Sequence, residues 1–161
     1  RKLKMANLDK EFLNEGIEEE RELTKDEIAK QQEDNIIMKL TEDAILPEKT
    51  IFVKRLDIPL TLRALTEKEI SALQKKYTKV TKVRGRRESK LMEDEFNIAL
   101  IEKATIVPNF GDARLLNSMK VSNGVEFIRR KFLAGEIALI SDEVLELSGF
   151  YEELSDGDIK N

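Results

Sequence analysis

The chain has 161 residues and a formal net charge of −4; 37% of its residues are charged and 40% apolar. That length suits one domain with some chain left for a tail, and the charged share is well above the usual quarter. Histidine, cysteine and tryptophan are absent, which excludes disulfide frameworks, thiol and Ser–His–Asp nucleophiles, zinc ribbons, iron–sulfur clusters and ordinary haem sites.

No apolar run approaches the roughly 18 residues that span a bilayer. Arg1–Asp9 lacks the apolar core of a secretory leader, so the expected location is the cytoplasm. The charge falls in three blocks. Arg1–Pro47 holds 8 basic and 13 acidic residues, Glu48–Gly135 holds 19 and 11, and Glu136–Asn161 holds 1 and 8. Blocks of this kind report solubility and partner steering rather than fold, and an acidic end can also cover a basic middle.

Residues 1–47 read as a weakly structured, charged arm, partly helical or flexible. Glu15, Glu18, Glu19, Glu20 and Glu22 crowd around Arg21, and Met5, Leu8 and Phe12 share a helical face. Thr24 with Glu27 reads as a capping box. Little apolar area is available here to offset the entropy of ordering. The core domain is placed at 48–151, starting after Pro47. In Thr50–Leu65, TIFVKRLDIPLTLRAL, Ile51 and Val53 alternate with Phe52 and Lys54, and Leu60, Leu62 and Ala64 alternate with Thr61 and Arg63. Period-2 patterning around Leu56–Pro59 predicts a β-hairpin, which needs helices against its apolar face.

Thr66 and Glu69 form a second capping box, with Leu65 and Ile70 as its hydrophobic staple. Ile70, Leu73, Tyr77 and Val80 continue as an apolar helical stripe. The run KKYTKVTKVRGRR, Lys75–Arg87, has seven basic residues and no acid, and it reads as a basic loop with Gly85 at its mobile point. A helix is expected to resume near Ser89, carrying Met92, Phe96, Ala99 and Leu100 on one face, and to stop before Pro108. Phe110–Met119 reads as a short helix or irregular turn. Asn123 is the expected cap of a helix bearing Val125, Phe127, Ile128 and Phe132, with Gly135 as its stop.

The last helix is expected over Glu136–Ser148, with Ile137, Ile140, Val144, Leu147 and Tyr151 in one stripe. Leu139 and Leu145 lie about 120° to either side of it at 100° per residue. Gly149 at C′ would pair Phe150 with Leu145 in a Schellman close. Residues 152–161 read as an acidic, flexible tail. The expected fold is α+β, mainly α: one β-hairpin on a bundle of four to five helices, with the charged arm and acidic end outside it.

Chemistry finds few footholds. The carboxylates Glu93, Asp94 and Glu95, or Asp142, Glu143 and Glu146, sit on charge-rich helix faces without the pocket that a general acid needs. Ser155–Asp158 is too short for a calcium loop. No metal, cofactor or catalytic site is expected. The basic run offers a second reading, a nucleic-acid-binding accessory protein that neutralises phosphates with Lys75, Lys76, Lys79, Lys82, Arg84, Arg86 and Arg87, although no familiar nucleic-acid-binding signature accompanies it.

Three blocks carry a family resemblance: TIFVKRLDIPLTLRALTEKEI (Thr50–Ile70), FNIALIEKATIVPNF (Phe96–Phe110) and FLAGEIALISDEVLELSGF (Phe132–Phe150). In order and spacing they resemble the XkdN-like, PBSX-type phage and prophage tail assembly chaperones. The resemblance covers Thr50 to about Tyr151 and does not extend over residues 1–47. It implies a non-enzymatic protein that binds the tape measure protein, and other tail components, until tube subunits polymerise around it. Such work needs modest apolar area with a charged rim. Leu139, Leu145, Phe150 and Tyr151 are the candidate partner-binding residues, and many weak copies along one substrate make self-association reasonable.

Overall fold

A computed structural model describes residues 22–43 and 45–152 of the chain. The expectations for Met5, Leu8 and Phe12, for the glutamates before Glu22 and for the acidic residues after Glu152 lie outside these. The chain divides into two compact units, with the boundary between Ala44 and Ile45.

In the first unit, helix α1 spans Lys25–Thr41. Its capping box forms as the sequence predicts: the Glu27 N–H donates to Thr24 Oγ1 at 3.3 Å and the Thr24 N–H to Glu27 Oε2 at 3.1 Å. No residue of α1 is buried.

The second unit begins with the predicted hairpin, β1 (Glu48–Val53) and β2 (Ile58–Arg63), paired antiparallel with Ile51 opposite Leu60 and Val53 opposite Ile58. Asp57 turns the chain at φ 53°, a left-handed conformation that aspartate tolerates. The sequence reading missed a third strand, β5 (Thr105–Val107), which adds antiparallel to β2 and makes β2 central in the order β1-β2-β5. Three residues are too few for an alternation signal, which is why Thr-Ile-Val before Pro108 went unread.

Helix α2 (Glu67–Lys76) follows the second capping box. Arg63 from β2 grips Glu69 with both terminal nitrogens, at 3.0 and 2.6 Å, while the Glu69 N–H donates to Thr66 Oγ1. The guanidinium holds the Glu69 carboxyl at about 2, below its ordinary 4.5. A depressed carboxylate contributes stability above its unfolded value and loses it as pH falls through the folded one. Glu69→Gln should therefore cost about 1–2 kcal/mol at neutral pH. It should also flatten the loss of stability between pH 4.5 and about 2, as measured by urea unfolding at several pH values.

The segment after α2 departs most from expectation. Lys75–Arg87 is not a loop, Val80 is not on a helix and no helix resumes at Ser89. Instead β3 (Thr78–Val83) and β4 (Arg86–Leu91) form a second antiparallel hairpin. Arg84 and Gly85 make its two-residue turn, with φ of 53° and 78°, the double left-handed geometry that matches strand twist. The β-branched Thr78, Val80, Thr81 and Val83 favour strand over helix at this point. The Met92 N–H donates to the Tyr77 carbonyl at 2.8 Å and closes the base of the hairpin.

Helix α3 (Glu93–Ala104) is the centre of the core. It buries Phe96, Ile98, Ala99, Leu100, Ile101 and Ala104, two more aliphatic residues than a single stripe would hold. Its neighbours are α5 (Gly124–Lys131), α6 (Ala134–Leu147), α2 and β2. Leu60 and Leu62 of β2, Ile128 of α5 and Val144 of α6 close around it, all fully buried. The short α4 (Ala113–Met119) is capped by Asp112, whose carboxyl the Arg114 side chain and N–H hold at about 2. Asn123 caps α5 as expected. Gly135, however, is no stop: α5 ends at Lys131 and Gly135 lies in the first turn of α6. The predicted Schellman close is present, with the Phe150 N–H on the Leu145 carbonyl, the Gly149 N–H on that of Glu146, and Gly149 at φ 89°.

A candidate partner-binding groove

Strand β1 is an edge of its sheet, and α6 packs beside it. Between them runs a groove of about 620 Å³. Val53 and Ile140 are its buried floor. Phe52, 57% exposed, and Leu139, 69% exposed, are its open apolar groups. Ile51 and Val53 point to one side of the sheet and Phe52 to the other, yet all three line the groove. It therefore follows the free edge of β1 rather than a sheet face.

Two ion pairs connect the first hairpin to α6, one from the β1–β2 turn and one from β1. Arg55 donates from Nε and Nη2 to Glu136 at 3.1 and 2.8 Å, and also from Nη2 to the Lys131 carbonyl at 3.0 Å. Lys49 Nζ meets Glu143 Oε2 at 2.7 Å. Arg55, helped by the Leu133 N–H, lowers the Glu136 carboxyl below its ordinary range, and Glu143 raises the Lys49 ammonium. These exposed pairs contribute little stability, but they fix the spacing of strand and helix. Asp142 and Glu146 add negative charge to the α6 side.

Of the candidate partner-binding residues, Leu139 alone lines this groove. Leu145, on another side of α6, is half-buried against the core. Phe150 and Tyr151 lie past the helix end and are mostly exposed. Phe150 borders a separate shallow concavity with Leu65, Ile70 and Ser148, where Ser148 Oγ accepts the Leu65 N–H at 2.9 Å. The four thus form no single surface. The residue that joins Leu139 is Phe52, which sequence reasoning passed over. Its signal was present: a large aromatic at an outward position of an alternating strand.

The basic candidates are dispersed differently. Lys75 and Lys76 are in the last turn of α2, with Lys76 Nζ 5.5 Å from the Tyr77 ring centre. Lys79 and Lys82 are on β3, Arg84 is in the turn, and Arg86 and Arg87 are on β4. The carboxylates weighed for chemistry are divided between the first turn of α3, where Glu93, Asp94 and Glu95 border an open concavity with Arg129, and the α6 side of the groove, where Glu143 is paired with Lys49 and Asp142 and Glu146 are exposed. Among the described residues no three acidic side chains cluster as a metal site, and no helix is long and apolar enough to cross a membrane.

Fold and groove define a class first, a mainly helical α+β domain with an apolar concavity between an edge strand and its last helix. Residues 34–160 match the family model of the phage XkdN-like tail assembly chaperone proteins. Two Bacillus subtilis (strain 168) proteins are each 30% identical over 101 residues, covering 62% of this chain and 68% of theirs. They are the uncharacterized protein YqbN and the phage-like element PBSX protein XkdN. The crystal structure of YqbN superposes with a TM-score of 0.51 at 22% identity, over 67% of this chain and 89% of that one. The chain belongs to the XkdN-like phage tail assembly chaperone family.

Proposed function

We propose that this chain holds the tape measure protein soluble in the host cytoplasm until tube subunits polymerise around it, and that it does so without catalysis. The observation that carries the reading is the juxtaposition of exposed Phe52 and Leu139 in the groove between β1 and α6. An apolar side exposed on a long helical polypeptide aggregates unless covered. A concavity with two apolar anchors and charged flanks can take a few side chains of such a helix and release them again. Exposed Asp142 and Glu146 on the α6 flank favour a segment that carries cations beside its apolar stripe.

Co-expression tests it. Fragments of a tape measure protein from the same phage element, insoluble alone, are expected to remain in the supernatant and to co-purify with the chain. Fragments that stay insoluble, with no complex formed at low salt, would remove the proposal.

A further inference from the structure

The β3–β4 hairpin does not serve the core. Every side chain from Lys79 to Lys90 is exposed. Between Thr78 and Leu91 there are six cations and one acid, Glu88. The register sets Lys79 opposite Lys90 and Lys82 opposite Arg87, like charges that weaken strand pairing. Among the described residues none of the six joins an ion pair. Glu93, Asp94 and Glu95 border a concavity with Lys90 at the base of the ribbon. Arg86 and Arg87 lie about 10–13 Å further out along β4 at the rise of a strand. The turn end of the ribbon therefore holds charge that the fold itself does not meet.

The distribution of that charge discriminates among anions. Cross-strand partners share a face, so Lys82 and Arg87 are on one face and Lys79, Arg86 and Lys90 on the other, with Arg84 in the turn. A flat anionic surface, such as a layer of lipid headgroups, meets one face and leaves the cations of the other unmatched. The turn, Arg84–Gly85, has no apolar side chain to insert into such a layer. A duplex groove has phosphates on both walls. The major groove of B-form DNA, about 12 Å wide and about 8.5 Å deep, admits a two-stranded ribbon. Each strand has six residues, about 20 Å of reach, more than the groove is deep. Duplex RNA fits less well, because its major groove is deep and narrow. A single strand also fits less well: β3 and β4 carry no aromatic side chain for base stacking, and Tyr77 at their base packs against the core.

We propose that the β3–β4 hairpin enters the major groove of double-stranded DNA turn first, with Lys82 and Arg87 on the phosphates of one wall, Lys79 and Arg86 on those of the other, and Arg84 leading. Contacts to phosphates position a protein without reading sequence, so the binding is sequence-blind. The formal net charge of −4 means that the attraction comes from this patch and not from the field of the whole chain. None of these residues lines the groove between β1 and α6. The inference goes beyond the chaperone reading and does not depend on it.

Fluorescence anisotropy of a labelled DNA duplex of about 20 base pairs, titrated with the full chain, tests it. Binding is expected at about 50 mM salt. With about four to five phosphates neutralised, Kd should weaken about 10- to 20-fold between about 50 and about 100 mM. The hairpin reversal Lys82→Glu/Arg86→Glu/Arg87→Glu should keep the melting temperature of the parent and show no binding up to about 100 µM, the weak limit of sequence-blind affinity. A control reversal of equal charge, Lys30→Glu/Lys68→Glu/Lys103→Glu, at exposed positions outside the hairpin, should hold Kd within about fivefold. The milder Lys82→Ala/Arg87→Ala should lower the slope of log K against log salt by about two. A single strand of the same length, an RNA duplex and vesicles of phosphatidylserine and phosphatidylcholine should each bind at least about tenfold more weakly than the DNA duplex. A parent chain that binds no DNA up to about 100 µM would overturn the proposal. So would a hairpin reversal with the affinity of the parent, a control reversal that loses as much, or a salt slope unchanged in the alanine variant. Tighter binding to RNA, to the single strand or to the vesicles would overturn it in favour of that partner.

Discussion

Phe110→Ala is expected to cost about 3–5 kcal/mol of folding stability, the range for an aromatic removed from a packed core. Phe110 stands in the connection between β5 and α4, 3% exposed. Its ring meets Phe127 at 6.0 Å between centroids and Phe132, nearly perpendicular, at 5.9 Å. It thereby joins the middle and the C-terminal cap of α5 to the loop that precedes α4. The backbone at Gly124 passes close to that of Phe110, so Gly124→Ala would crowd the same site. A Cβ on that glycine would lie 3.1 Å from both the Phe110 Cβ and its carbonyl oxygen. A small domain has about 5–15 kcal/mol in total, so the melting temperature should fall by about 15 °C or more. Leu133→Ala, at a 56% exposed position, should stay within about 0.5 kcal/mol. Denaturant unfolding of the two variants beside the parent checks both figures, and a cost below about 1 kcal/mol at Phe110 would contradict the packing described.

What was legible in the sequence depended on whether local chemistry alone decides the outcome. Both capping boxes, the Asn123 cap and the Schellman close at Gly149 form as read, because each is settled within a few residues by a side-chain oxygen or a glycine. The β1–β2 hairpin was legible because its alternation is long enough to count. The β3–β4 hairpin was not: Val80 falls on the α2 period, and strands exposed on both faces carry no apolar alternation to mark them. Strand β5 depends on β2 for its existence, and no local pattern announces it. The groove was half legible. Leu139 lies off the stripe of α6 and could be singled out. Phe52 becomes its neighbour only when β1 and α6 pack side by side, a tertiary fact without a sequence period.

That tertiary pairing leads to the second large effect. Phe52→Asp combined with Leu139→Asp is expected to abolish capture of the tape measure fragments while leaving the fold intact. Both side chains are more than half exposed, so little buried area is lost. An aspartate in β1 costs at most about 1 kcal/mol of strand preference. In a complex the same two groups would be the apolar anchors, each worth about 2 kcal/mol or more when desolvated by a partner. Losing both weakens binding about a thousandfold at 1.4 kcal/mol per decade. The aspartates would also have to be desolvated against the apolar stripe of the partner, at a cost that apolar anchors do not carry. The hairpin reversal Lys82→Glu/Arg86→Glu/Arg87→Glu is the informative companion, since its charges lie on β3 and β4 and not in the groove. It should leave one-to-one capture of a short fragment unchanged. Capture that survives in the groove variant but fails in the hairpin variant would move the partner-binding surface from β1 and α6 to β3 and β4.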